Sequence, residues 1–176
     1  MNKAINYSEK FEQTLQEIDQ AIVNKVNTLS SEPFNLSKAI LFAIDYVRGE
    51  VPVIKQIAEE GDVYEMLDDK LNAMFLAETN YSGFAITTCG WAAPIKDGND
   101  DENEIAPSQH PARRRVRLMA MCQNGQMGSS IRFSDDESVT YDSGNASGSL
   151  ADAMRDMYDI VRALRVLTKE TERQLP

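Results

Sequence analysis

A single histidine and two cysteines among 176 residues leave little material for metal or disulfide chemistry. One imidazole and two thiols are too few for a four-ligand zinc finger, and two cysteines are too few for a disulfide framework. Long apolar runs are missing as well. No stretch reaches the ~18–20 apolar residues of a membrane-spanning helix, and the richest, Ala39 to Val47, is interrupted by Asp45. The opening residues, MNKAINYSEKFEQ, lack the apolar centre of a secretory signal. These absences point to a cytoplasmic protein with reduced thiols. Basic residues are in deficit: 18 Lys and Arg against 28 Asp and Glu give a formal net charge of -10. That charge favours solubility and makes nucleic acid or anionic lipid a poor general partner. What remains is ordinary globular composition, 42% hydrophobic and 26% charged, at a length that suits one domain.

The N-terminal part reads as helical. Phe11, Leu15, Ile18, Ile22, Val26 and Leu29 recur at spacings of three and four, which predicts one amphipathic helix over 7–30. Glu12, Gln16, Asp19 and Lys25 fall off the stripe. The stripe is nearly heptad, so it suits either its own domain or a second copy of the chain. Ser30-Ser31-Glu32-Pro33 breaks it. A second helix is expected from Leu36 to Val47, and a short one through Ile57 that stops at Gly61. Asp62 can cap a further helix to Glu78, with Val63, Met66, Leu67, Leu71, Met74 and Phe75 inward. Residues 1–78 are thus expected to be all helical.

The pattern changes at Tyr81. Ser82 to Cys89 is rich in β-branched and aromatic residues and predicts a strand. A polar loop follows over 96–112, with five acids between Lys96 and Glu104. Asn124-Gly125 then supplies the two positive-φ positions of a type I′ turn, which predicts a hairpin from Arg114 to Phe133. A two-residue loop sets Leu118 opposite Ile131 and Val116 opposite Phe133. Alternation gives one face to Val116, Leu118, Ala120, Cys122, Met127, Ser129, Ile131 and Phe133, the expected core face. The other carries Arg115, Arg117, Met119, Met121, Gly128, Ser130 and Arg132. Val139-Thr140-Tyr141 offers a short strand. Ser149, with Asp152 three residues on, is the expected cap of a C-terminal helix whose inner face is Leu150, Met154, Met157, Val161, Leu164 and Thr168. The fold class expected is α+β: N-terminal helices, a small antiparallel sheet and a long C-terminal helix.

Charge carries the functional signal. Between Ile105 and Ser134 there is no acid, while Arg113, Arg114, Arg115, Arg117 and Arg132 give a formal +5. Half of the ten arginines sit there, and the planar guanidinium fork suits carboxylate and phosphate. Three readings follow: internal neutralisation by the acidic helices or loop, an anion or partner site, or a solvated face. Ser108 and His110 belong to the proposed recognition surface with these arginines. No G-x-S-x-G elbow surrounds Ser108, so a hydrolase triad is unsupported. Cys89, His110 and Cys122 lack metal-ligand spacing. Gly144 to Ser149 opens a helix but lacks the lysine of a phosphate loop.

Three segments, Gly90-Trp91-Ala92-Ala93-Pro94, Pro107 to Leu118 and Gly148 to Ala153, resemble a family of small uncharacterised proteins of tailed phages and actinobacteria. The resemblance covers about 82–158. It implies a phage-encoded protein of the host cytoplasm and carries no catalytic residues or cofactor. The leading expectation is a non-catalytic binding protein with an arginine-rich face for a protein partner or a phosphate-bearing ligand, and with self-association into a homo-oligomer open to it. An enzyme acting on a phosphorylated small molecule, and an acidic DNA mimic that blocks a host protein, are the alternatives.

Overall fold

The α1 stripe finds its cover within its own chain. In the computed structural model, which describes residues 7–78, 81–94, 105–143 and 147–174, helix α1 (Tyr7–Leu29) lies along one face of a six-stranded antiparallel sheet. Leu15, Ile18, Ile22 and Val26 are fully buried there against Ile40, Phe42, Ile44, Ala85, Met119 and Met121. Only Leu29, at the helix end, is left exposed. The near-heptad seam is therefore occupied by the sheet and presents no free apolar stripe to a second copy.

The strands are β1 (Ala39–Asp45), β2 (Val53–Glu60), β3 (Gly83–Ala92), β4 (Arg114–Gln123), β5 (Gln126–Phe133) and β6 (Val139–Asp142). Their order is β2-β1-β3-β4-β5-β6. Helices α2 (Val63–Asp68), α3 (Lys70–Glu78) and α4 (Ser149–Gln174) cover the face opposite α1. The result is three layers: one helix, the sheet, and three helices.

This corrects the expectation that residues 1–78 are all helical. Residues 39–45 and 53–60, read as helices, are the strands β1 and β2. Ala39 to Ile44 are all buried because β1 lies between two strands and beneath helices on both faces. A strand covered on both sides shows no alternation, so its apolar run carries no period that separates it from a buried helix.

The helix after Asp62 also differs. Asp62 caps it as expected, accepting from the amides of Tyr64 and Glu65. Asp69 then ends α2 in an extended conformation, and its carboxylate accepts from the amide of Leu71 at 2.8 Å to start α3. That break resets the phase. Ala73 and Leu76 turn inward, while Leu71 and Met74, expected inside, are exposed. In α4, Met154, Met157 and Val161 are buried as expected, whereas Thr168 is exposed. The turn into α4 is made by Gly148 at φ +97°, whose carbonyl accepts from the amide of Asp152. Ser149 is inside the helix, its hydroxyl 2.7 Å from that of Tyr64.

The hairpin forms in the expected register. Asn124 and Gly125 have φ of 50° and 83°, and Leu118 pairs with Ile131. The assignment of a single core face does not hold, because helices cover both sides. Leu118 is partly exposed, and Met119 and Met121 on the arginine side are buried under α1. Gly128 makes this approach possible: a Cβ there would stand 3.0 Å from Leu15 Cδ2 and 3.2 Å from Phe11 Cε1. The acidic stretch at 96–104 and the start of the Gly144 connector lie outside the described residues.

Phe42 and Leu71 test the revised layout. Phe42→Ala is expected to cost about 3–5 kcal/mol, a buried aromatic cavity, and Leu71→Ala within about 0.5 kcal/mol of zero. Chemical denaturation of the two variants measures both; equal costs would contradict the strand assignment of 39–45.

Candidate functional site

Strand alternation stacks the side chains on the α1 face into rows. Trp91 stands beside Arg115, Cys89 beside Arg117 and Arg132, and Thr87 beside Met119 and Ser130. Tyr141 of β6 is opposite Ser130. α1 covers the Met119 row with apolar residues, but where polar groups come up from β5 and β6 it supplies Asp19.

Asp19 is only 3% exposed. Its Oδ1 accepts from the Ser130 hydroxyl at 2.5 Å. Its Oδ2 accepts from Arg132 Nη2 at 2.7 Å and from the Tyr141 hydroxyl at 3.0 Å. Burial and the Asp19 charge push the Tyr141 phenol above its ordinary pKa. A buried carboxylate with three donors is a satisfied anion, which is the condition for tolerating it in a core. Off the apolar stripe, Asp19 is expected on the solvent side of α1, and the structure buries it instead. Its place four residues after Leu15 and three before Ile22, at the margin of the stripe, is the signal that marks it.

Arg117 is 4% exposed and has no carboxylate partner among the described residues. Its Nη1 donates to the carbonyl of Pro33 at 3.3 Å, and its guanidinium lies 5.1 Å from the Phe34 ring centre. Burial, and then the charge of Arg132, hold its pKa below the ordinary arginine value. An arginine side chain stays protonated even so. Two guanidinium groups therefore face each other across β4 and β5 with one carboxylate, Asp19, between them and the helix. Arg132 Nε is buried without a hydrogen-bond partner.

The segment after α1 caps the next row. Arg115 Nε donates to the Phe34 carbonyl at 2.7 Å, and Arg115 Nη2 donates to Asn35 Oδ1 at 3.0 Å. The guanidinium groups of Arg113 and Arg115 stand 4.9 Å and 5.0 Å from the Trp91 ring centre. Such contacts are worth about 0.5–1 kcal/mol when exposed. Arg114 points to the other face, where it pairs with Asp135 and Asp136 and covers Phe133. Ser108 is exposed in a 3₁₀ turn at Pro107–Gln109. His110 Nδ1 accepts from the Ala112 amide at 3.0 Å and closes the following turn.

The structure thus brings Arg115, Arg117 and Arg132 together, turns Arg114 away, and leaves Arg113 on the Trp91 ring. Ser108 and His110 do not line the groove that results. That groove has two adjoining lobes at the C-terminal end of α1. A polar lobe of about 510 Å³ is lined by Gln20, Asn27, Ser30, Arg117, Arg132 and Glu137. A mainly apolar lobe of about 350 Å³ is lined by Glu32, Phe34, Asn35, Trp91 and Arg115. Pro33 and Phe34 border both.

Cys89 and Cys122 are both free and stand in different rows of the β3–β4 pair. Burial pushes the Cys122 thiol up to about 11, so it stays protonated. Among the described residues no three His, Cys, Asp or Glu side chains are grouped to hold a metal ion. Nor does any described helix have the length and apolarity to cross a membrane. No protein-family model, curated protein or solved structure matches the chain.

Asp19→Asn is expected to cost about 3–5 kcal/mol, because it leaves two buried guanidinium groups without a counter-charge. Adding Arg132→Met should recover part of that loss, and a double-mutant cycle by denaturant titration reads the coupling. At the exposed Arg114 pair, the Arg114 hydrogen bond holds the Asp135 carboxyl down at about 2. Its contribution to stability is present above the ordinary carboxylate value of about 3.9 and is lost as pH falls through about 2. Carboxyl NMR titration should give that low midpoint, and Arg114→Gln should restore the ordinary value.

Proposed function

We propose that this chain is a non-catalytic binding protein, phage-encoded as the motif resemblance implies, whose groove takes up an anion against Arg117 and Arg132. One observation carries the reading: two guanidinium groups meet at the base of the groove and, among the described residues, only Arg132 has a carboxylate in hydrogen-bond contact. An uncompensated buried charge costs several kcal/mol and is ordinarily selected against unless something pairs with it. The Pro33 carbonyl offers Arg117 a dipole, not a charge. A ligand with several acceptor oxygens, such as a phosphate group, supplies what is missing and suits the forked geometry of two arginines. Gln20, Asn27 and Ser30 add neutral donors around it, and Glu137 is the acid in the same lining.

Binding is favoured over acid–base catalysis by how the titratable groups are used. Asp19 spends its oxygens on three donors, and His110 is tied to the Ala112 amide. Neither is poised to take a proton from a ligand in the groove.

Thermal melting in the presence of inorganic phosphate tests the reading. Phosphate should raise the melting temperature of the full chain in a dose-dependent way, and added neutral salt should weaken the effect. Arg117→Met should remove the phosphate response while leaving the unliganded protein as stable or more so, since it deletes a buried charge. A wild-type chain that does not respond to phosphate at any concentration would overturn the proposal.

A further inference from the structure

The polar lobe has a neighbour that an inorganic anion would leave empty. Trp91 and Arg115 stand one row beyond Cys89 and Arg117 on the same face. Two residues along a strand are about 6.6 Å, so the two lobes are separated by a short step that a sugar ring bridges. The second lobe is walled by flat groups: the Phe34 ring, the Trp91 indole and the Arg115 guanidinium. Planar aromatic and guanidinium surfaces are what nucleobases stack on. Arg113 and Arg115 both lie over the indole, 4.9 Å and 5.0 Å from its centre, so the flat surfaces the groove presents are the Phe34 ring and the Trp91–Arg115 stack. Trp91 is 39% exposed.

We infer that the ligand of this groove is a nucleoside monophosphate, with its phosphate at Arg117 and Arg132 and its base against Trp91 and Phe34. The inference rests on the anion-binding reading and adds the rest of the ligand. The polar side chains separate this class from other aromatic phosphates. Asn27 and Ser30 line the polar lobe and offer partners to ribose hydroxyls. Glu32 and Asn35 also line the flat lobe; the Glu32 carboxylate offers an acceptor to a base amino group, and the Asn35 side-chain NH2, whose oxygen accepts from Arg115, offers a donor to a base carbonyl. A phenyl ring has no such edge and would leave them unused. The combined volume falls within the range of small-molecule sites. The net charge of -10 disfavours a long nucleic-acid strand, whose further phosphates would meet an acidic surface.

Trp91 is the sole tryptophan, so its fluorescence reads the flat lobe without interference. The full chain is titrated with each common nucleoside monophosphate and, as controls, with ribose 5-phosphate, phenyl phosphate and inorganic phosphate, by fluorescence and calorimetry. At least one nucleotide should quench Trp91 and bind roughly tenfold to a hundredfold tighter than ribose 5-phosphate, the gain of stacking one base. Trp91→Leu should bring that nucleotide down to the affinity of ribose 5-phosphate and leave inorganic phosphate unchanged. Arg117→Met should lose both. If every nucleotide binds no tighter than ribose 5-phosphate, or phenyl phosphate binds as tightly as the best nucleotide, the nucleotide assignment falls while phosphate binding still stands. If a short oligonucleotide binds tighter than any mononucleotide, the ligand is a strand and the assignment also falls. If neither phosphate nor nucleotide binds, the inference and the anion reading fall together.

Discussion

Asp19 sets the geometry on which the groove depends. One carboxylate, buried under α1, joins that helix to β5 through Ser130 and Arg132 and to β6 through Tyr141. Apolar packing alone would hold α1 on the sheet, but it is tolerant of sliding. Hydrogen bonds to a buried charge are directional and expensive to break. They fix where α1 ends, and so where Pro33, Phe34 and Asn35 fall over the arginines. Gly128 works in the same sense, since it lets Leu15 and Phe11 come down onto the sheet close by.

The same arrangement leaves the charge balance incomplete. α1 could have carried a second acid toward Arg117, and the strands could have carried a neutral residue in its place. Instead two cations are held opposite each other, the less favourable placement for a cross-strand pair. Arg115, one row away and only half-buried, is held by the Phe34 backbone carbonyl and the Asn35 side-chain oxygen, and Arg114 pairs with two aspartates at the surface. The imbalance is therefore local to one row of the sheet, beside a groove wide enough to admit a ligand. Local conflict of this kind, in a fold otherwise consistent at every level, is where binding function is expected to lie.

Legibility differed sharply along the chain. The α1 stripe and the Asn124-Gly125 hairpin were readable because each follows from a local rule, helical period in one case and turn chemistry in the other. Beginning at Ala39, the reading failed for a physical reason. A strand buried on both faces has no polar side to alternate with, and the edge strand β2 could not be recognised without its partner. In α2 and α3, Asp69 acts as both stop and cap, and an aspartate inside an apparent helix does not announce that by itself. The candidate site was half legible: the arginines stood out as an acid-free block, and alternation put three of them on one face. Trp91 and Phe34 gave no such signal, because an aromatic residue reads equally well as core.

The sequence by itself determined the local elements with strong periods, the hairpin register and the sidedness of Arg115, Arg117 and Arg132. These depend on neighbours within a few residues, where spacing and backbone preference act directly. Tertiary structure alone decided which arginine receives a counter-charge. Asp19 and Arg132 are 113 residues apart, and pairing across that distance depends on where α1 docks. It also decided that Pro33 and Phe34 border both an arginine row and an aromatic row. A groove is made of the space between elements, and no single segment encodes that space.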